Sequence, residues 1–302
     1  MKSFPMASKI FITCILALAE TFFVSCGLED VITVNAPTSL INSPLYSGDD
    51  YLKWYASFRV NETDQPDSFS GTEIYYKIYN NSSDLISQRN SILSVNTSSN
   101  STAAATRMVD TYQYQVLGAH SFKTGKTVSQ SVFVPADILK NSLNVAFRVK
   151  TYTGNENYGA NGEDVSDFEQ FRACIKFSGR LRAFVNDSTV FVGYDSSEGW
   201  KYFSETSGGS GTAVAYNDID FIVPARNNGK SFDFFDEQDT DSDENVEPSE
   251  SDDDYKHNDS ASASDTYYVQ FFAVGVAFDG SSLSNAYSLV LDLGSVPIIK
   301  NK

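Results

Sequence analysis

Tyr267–Phe278, YYVQFFAVGVAF, limits the folds open to this chain more than any other segment. Eight of its twelve residues are aromatic or valine, and none is charged or proline. Residues of that kind suit the pleated, packed surface of a strand. Shorter runs of the same character recur, separated by Ser, Asn, Gly and Asp clusters. They are Tyr51–Val60, Glu73–Tyr79, Asp110–Leu117, Val128–Val134, Leu143–Tyr152, Phe168–Phe177, Leu181–Val185, Thr189–Tyr194, Ile219–Val223 and Tyr287–Leu293. In Glu73–Tyr79, Ile74, Tyr76 and Ile78 share one face, while Tyr75, Lys77 and Tyr79 share the other. No long segment repeats apolar residues at helical spacing. Helix is expected to be minor, about one turn over Ala136–Asn141 after Pro135. The expected class is all-β, an antiparallel β-sandwich.

The first 26 residues set the expected compartment. Lys2 and Lys9 precede a short apolar run, Ile10–Ala19, and Phe23-Val24-Ser25-Cys26 reads as a lipobox followed by Gly27. A spanning helix needs about 18 or more apolar residues, and Glu20 and Thr21 interrupt this run. The segment is therefore read as a lipoprotein signal peptide, residues 1–25, with Cys26 acylated (palmitate-type) at the mature N-terminus and a tether over residues 26–35. The competing reading is an ordinary secretory signal. Three cysteines exist. Cys14 leaves with the signal and Cys26 takes lipid, so Cys174 alone remains and no internal disulfide can form. Cys174 alternates with Ile175 and Phe177 in a strand pattern and is expected to be a half-buried, unreactive thiol.

Two segments resemble fibronectin type III-like (Ig-like) modules. Gly71–Tyr79, GTEIYYKIY, is similar to the central strand, and Tyr267–Val276 followed by Asp279–Asn285 is similar to the last hairpin. Together they cover about a quarter of the chain. The layout as a whole resembles treponemal-type spirochaetal lipoproteins, in which a lipobox is joined to an early YYKIY strand and a late VQFFAV strand. The resemblance implies a β-sandwich lipid-anchored to the cell envelope. The two matching pieces lie about 190 residues apart, beyond one module of ~100 residues. The expected organisation is discontinuous: residues 36–80 pair with 266–298, and 109–225 form an inserted second β region. The alternative is two sandwiches in series, dividing near 150–165.

Asn80–Thr106, rich in Ser, Asn and Thr, is expected to be a flexible excursion. Asp233–Asp254 holds twelve carboxylates and no Lys or Arg, and carries most of the net charge of −17. Residues 226–265 are accordingly expected to be an acidic disordered loop, because like charges at that density repel. An acidic chain is a poor partner for nucleic acid or anionic headgroups. Asp239, Asp241, Asp243 and Glu250 match positions 1, 3, 5 and 12 of a calcium loop. Glu244 stands where the turn glycine belongs, and Pro248 interrupts the far end. Millimolar calcium is expected to give little heat.

Catalytic patterns are thin. The two histidines are His120 and His257, and no nucleophile-elbow motif is present. Ser207–Gly211 reads as a turn. No cofactor is expected, and the chain is expected to be non-enzymatic. Trp54, Tyr55, Tyr75, Tyr79, Trp200 and Tyr202 are expected to be core material, with both faces of their strands buried, one by the second sheet and one by the inserted region; the competing reading has them anchor a protein or glycan partner. The expected function is a lipid-anchored binding or structural module of the envelope. The alternatives are a surface adhesin using loops 80–108 and 225–265, and an envelope sugar-binding protein or glycosidase.

Overall fold

The computed structural model describes residues 32–38, 55–60, 64–129, 132–138, 143–151, 172–205, 209–234, 247–261 and 265–300. The strands, in chain order, are β1 Ala56–Val60, β2 Phe69–Tyr79, β3 Gln115–Val116, β4 Gly118–Ser121, β5 Val134–Pro135, β6 Leu143–Arg148, β7 Cys174–Phe177 and β8 Arg180–Val185. They continue with β9 Ser188–Asp195, β10 Gly199–Ser204, β11 Thr212–Ala213, β12 Asp220–Ala225, β13 Tyr255–Lys256, β14 Thr266–Asp279 and β15 Ser284–Ile299. They form two sheets packed as an antiparallel sandwich. One runs β1-β6-β7-β8-β9-β10-β11, with β12 bridging β8 and β4; the other runs β13-β2-β14-β15. Residues 69–79 pair directly with 268–277, and most of the chain between them supplies the opposing sheet. β1 joins that opposing sheet through β6. β6 pairs with β7 across the stretch near residues 150–165.

The alternating pattern of Glu73–Tyr79 has a simple cause. Ile74, Tyr76 and Ile78 enter the core between the sheets, with Phe58, Phe147, Phe177 and Phe271. Tyr75 and Tyr79 enter a second core on the outer face of the same sheet. That second core is roofed by residues 80–111, which form helix α1, Ser82–Leu93, helix α2, Ala103–Thr106, and a π-type turn, Arg107–Thr111. The flexible excursion expected here is corrected, and so is most of the strand expected over Asp110–Leu117, of which only Gln115–Val116 is extended. The local reason is capping: Asn81 accepts from the Ser83 N–H at 2.8 Å. The tertiary reason is larger. Leu85 and Ile92 are buried against the sheet, Arg89 pairs with Asp292, and Asn96 clamps the backbone of Val290 with two hydrogen bonds, 2.9 and 3.0 Å. That clamp also protects the outer edge of β15.

A third cluster lies on the far face of the first sheet and contains Cys174, Leu181, Trp200 and Phe221. Among the aromatics considered for partner binding, Tyr75, Tyr79 and Trp200 are therefore core residues. Tyr55 and Tyr202 are half-buried, and Trp54 lies outside the described residues. Cys174 is fully buried rather than half-buried, with Sγ 3.4 Å from the Tyr55 hydroxyl.

One carboxyl gives the fold a measurable pH dependence. Burial raises Asp233 to about 6, against the pull of Lys150 and the Thr151 N–H. A folded-state pKa above the unfolded value of about 3.9 means the protonated form is favoured in the fold. The contribution is full below about pH 4 and is lost as the pH rises through about 6. Part of the Asp233 residue still meets water, so the expected size is about 2 kcal/mol. Burial also raises Glu73, against the Tyr75 hydrogen bond, which adds the same sign. Urea unfolding of the wild type should therefore show stability falling from pH 4 to 7 relative to Asp233→Asn. Parallel pH profiles for the two proteins would refute this.

Candidate functional site

The second sheet ends in a polar pocket of about 420 Å³. Four pieces of chain meet there: Asn80 after β2, the segment around β13 that runs from Glu247 to Ala261, Asp265 and Tyr267 at the start of β14, and Lys300 after β15. β13 lies parallel to the end of β2, with Tyr255 opposite Ile78 and Lys256 opposite Tyr79.

β13 is held by a buried charge cluster. Arg226 Nε donates to Asp254 Oδ2 at 2.7 Å and Arg226 Nη2 to Asp254 Oδ1 at 2.6 Å, a bidentate pair. Arg226 Nη2 also donates to Asp252 Oδ2 at 2.7 Å. The Tyr76 hydroxyl donates to Asp254 Oδ2 at 2.6 Å and accepts from the Asn227 N–H at 2.9 Å. Burial alone would lower the arginine's pKa, but Asp254 and Asp252 more than offset this and hold it above its ordinary value. Burial works against Asp252 as well, and the bond from Arg226 keeps its carboxyl below the usual range. The disordered loop expected over 226–265 is therefore corrected for residues 226–234 and 247–261. Net charge ignored a buried counter-charge and two aromatics, Phe232 and Phe234, that sit fully in the main core. Residues 235–246, including Asp239, Asp241 and Asp243, lie outside the described residues, as does Cys26.

Beyond β13 the loop is fastened side chain to backbone. The Asn258 N–H donates to Asn80 Oδ1 at 2.9 Å, and Asn80 Nδ2 returns a bond to Asn258 O at 3.2 Å. Asn258 Nδ2 donates to Asp84 Oδ2 at 2.6 Å, tying the loop to α1. His257 stands between these anchors. Its Nε2 lies 2.9 Å from Asp259 Oδ1 and 3.3 Å from Glu250 Oε1. Its Nδ1 lies 3.2 Å from the Tyr255 hydroxyl. Carboxylates only accept, so Nε2 carries the proton and Nδ1 takes one from Tyr255. Burial, with Glu247 and Glu250 nearby, pushes the Tyr255 hydroxyl up to about 12, so it stays a neutral donor.

One ligand atom from each of Glu250, His257 and Asp259 lies within 4.8 Å of the other two. Around a tetrahedral zinc ion, such atoms stand about 3.4 Å apart. Glu250 and Asp259 are exposed, and small rotations close that gap. Lys300 sits on the same rim but is paired with Glu247 at 2.7 Å. Glu250 is thus the one member of the expected calcium set within the described residues, and its neighbours here are a histidine and a second carboxylate. Sequence reasoning passed over Tyr255, Asn258, Asp259 and Lys300. Tyr255, His257 and Asp259 alternate along an extended segment, a signal that the surrounding acid obscured.

Among the described residues, the other chemistry-bearing groups do not assemble. His120 Nδ1 donates to the Ser121 carbonyl at 2.7 Å, while Ser121 Oγ donates to Asp220 at 2.5 Å instead of to the imidazole. A shallow hollow of about 450 Å³ between β8, β9 and β10 holds Arg180, Tyr194, Asp195, Lys201 and Phe203. Its charges are already engaged: Arg180 stacks on Phe203 at 3.5 Å, Lys201 pairs with Glu198, and Asp195 accepts from the Ser197 N–H at 2.8 Å.

Comparison with models of protein families, with curated proteins and with solved structures gives no match.

Proposed function

We propose that this protein is a non-catalytic binding module, held on the bacterial cell envelope by lipid on Cys26, whose end pocket takes a divalent metal ion of the zinc type. The observation that carries this reading is the convergence of His257, Glu250 and Asp259 on a loop already fixed by Arg226 and Asn80. An imidazole with two carboxylates favours zinc over calcium, which prefers oxygen ligands alone. Binding at Nε2 would move the imidazole proton to Nδ1, which would then donate to the Tyr255 oxygen, the outer hydrogen bond that metal-bound histidines use.

Calorimetry tests the ligand. Zinc should bind saturably, and His257→Ala or Glu250→Gln should weaken it by about tenfold or more. No zinc heat would end the metal reading. Heat from calcium that ignores His257 would return the site to an all-oxygen loop within the acidic run. Cell fractionation tests the anchor: Cys26→Ala should move the protein out of the membrane fraction. The adhesin alternative relied on mobile arms at 80–108 and 225–265. The first is helical and packed, and much of the second is pinned, so neither favours it. The glycan alternative has the β8–β10 hollow in its favour, but the charged groups there are engaged with their neighbours.

A further inference from the structure

The N-terminal segment and the β14–β15 hairpin meet at the end of the sandwich opposite the pocket. Val34 is buried and lies over Gly275, where a Cβ would come within 2.8 Å of Asn35 O and 3.0 Å of Val34 Cγ1. The Asn35 N–H donates to Gln65 Oε1 at 3.0 Å, and Asn35 Nδ2 donates to Asp64 O at 2.7 Å. A few residues on, the Phe278 N–H donates to the Ser68 carbonyl at 3.1 Å. Residues 34–35, 64–68 and 275–278 therefore gather at one end. Tyr267, on the pocket wall, is about 35 Å away from Phe278 along β14.

The apex of that hairpin is unusual in two independent respects. Phe278 and Leu283 are large apolar side chains with 48 % and 78 % of their surfaces exposed. Leu283 also adopts φ +53°, the left-handed region that side chains with a Cβ disfavour. The turn before it is firmly built. Asp279 Oδ1 accepts from the Ser281 N–H at 2.8 Å, and Asp279 Oδ2 accepts from the Ser282 hydroxyl at 2.7 Å. Leu283 is thus held outward against both its backbone preference and its aversion to water. Strain of that kind points to a contact outside the chain.

We propose that this apex is the membrane-facing point of the molecule: Phe278 and Leu283 enter the interfacial layer of a lipid bilayer beside the acylated Cys26, and the pocket points away. The proposal rests on the lipid-anchor reading. The six-residue step from Cys26 to Ile32 spans at most about 21 Å, which keeps the anchor close to the hairpin. Membrane attachment that combines an acyl chain with a second contact holds more firmly than a single chain. The Ser281 and Ser282 hydroxyls donate to Asp279 within the turn, so the apex presents its apolar side chains and needs no anionic lipid.

The test uses the full-length lipoprotein in phosphatidylcholine vesicles, with a polarity-sensitive fluorophore on Leu283→Cys or, as the far-end control, on Ser260→Cys. Cys174 is buried and Cys26 acylated, so only the new thiol is labelled. The probe at 283 should shift to the blue and be quenched by nitroxide-bearing lipids, while the probe at 260 should remain aqueous. The mass of the N-terminal peptide reads acylation separately. An acylated protein with an aqueous probe at 283, or with both probes alike, overturns the orientation and leaves the anchor standing. An unacylated Cys26 overturns the anchor and the orientation with it. Leu283→Asn supplies the second readout: asparagine tolerates the left-handed region, so the thermal midpoint should rise. A fall would show that Leu283 serves the fold itself and would overturn the proposal.

Discussion

Arg226→Ala is expected to lower the unfolding free energy by about 3–5 kcal/mol, the largest effect of any single charge removal described for this chain. The guanidinium is buried and contacts two carboxylates, one of which, Asp254, is 1 % exposed. Its removal leaves the Asp254 carboxylate in the core without its bidentate cation, held by the Tyr76 hydroxyl alone among its direct side-chain bonds. The cost comes from stranding the acid rather than from losing an attraction. Arg226→Lys should recover part of the loss, because an ammonium restores the charge but cannot match the bidentate geometry. Urea unfolding followed by tryptophan fluorescence measures both variants. A loss for Arg226→Ala below about 1 kcal/mol would place the cluster with ordinary surface ion pairs. The effect should reach the pocket too: β13 loses its clamp, so the alanine variant should bind zinc more weakly and be cut by protease within 247–261.

Gly71→Ala is expected to cost about 3–5 kcal/mol, from two sources that a control separates. Gly71 sits at φ +138°, and a Cβ there would lie 2.1 Å from the Val134 carbonyl oxygen and 2.7 Å from Val132 Cγ2. Because Val134 O is backbone, β5 must move off β2 for alanine to fit, and with it Phe133 and Val134, which line the main core. Gly294 is the control. It also has a positive φ, +84°, but nothing lies within 4 Å of its would-be Cβ. Gly294→Ala should therefore cost only about 1 kcal/mol. Equal losses in the two variants would show that the backbone angle alone accounts for Gly71.

The glycine was visible in the sequence as the start of the GTEIYYKIY strand, but not its reason. Only the fold brings β5 against it. The same division runs through the candidate site. His257 and Glu250 stand out by residue type, yet the acidic composition around them pointed to a solvated loop. Arg226 decides otherwise from about 26 residues upstream in the chain, a distance over which composition carries no information. In the helical roof the signal is weak for a different reason. α1 needs only Leu85 and Ile92 to dock, too few apolar positions to mark helical periodicity, and the sheet beneath it supplies the rest of its stability.

The sequence by itself determined the strand-rich class, because period-two alternation and aromatic density are local properties. Glu73–Tyr79 and Tyr267–Phe278 carry them plainly. Tertiary structure alone decided that residues 80–111 fold as a roof over β2, and that part of the acidic stretch is locked beside the sheet. Each of those outcomes depends on a partner distant in the chain: Asp292 for Arg89, Val290 for Asn96, Arg226 for Asp254. Burying a charge or a polar edge is costly until such a partner arrives, and only the completed fold brings it there.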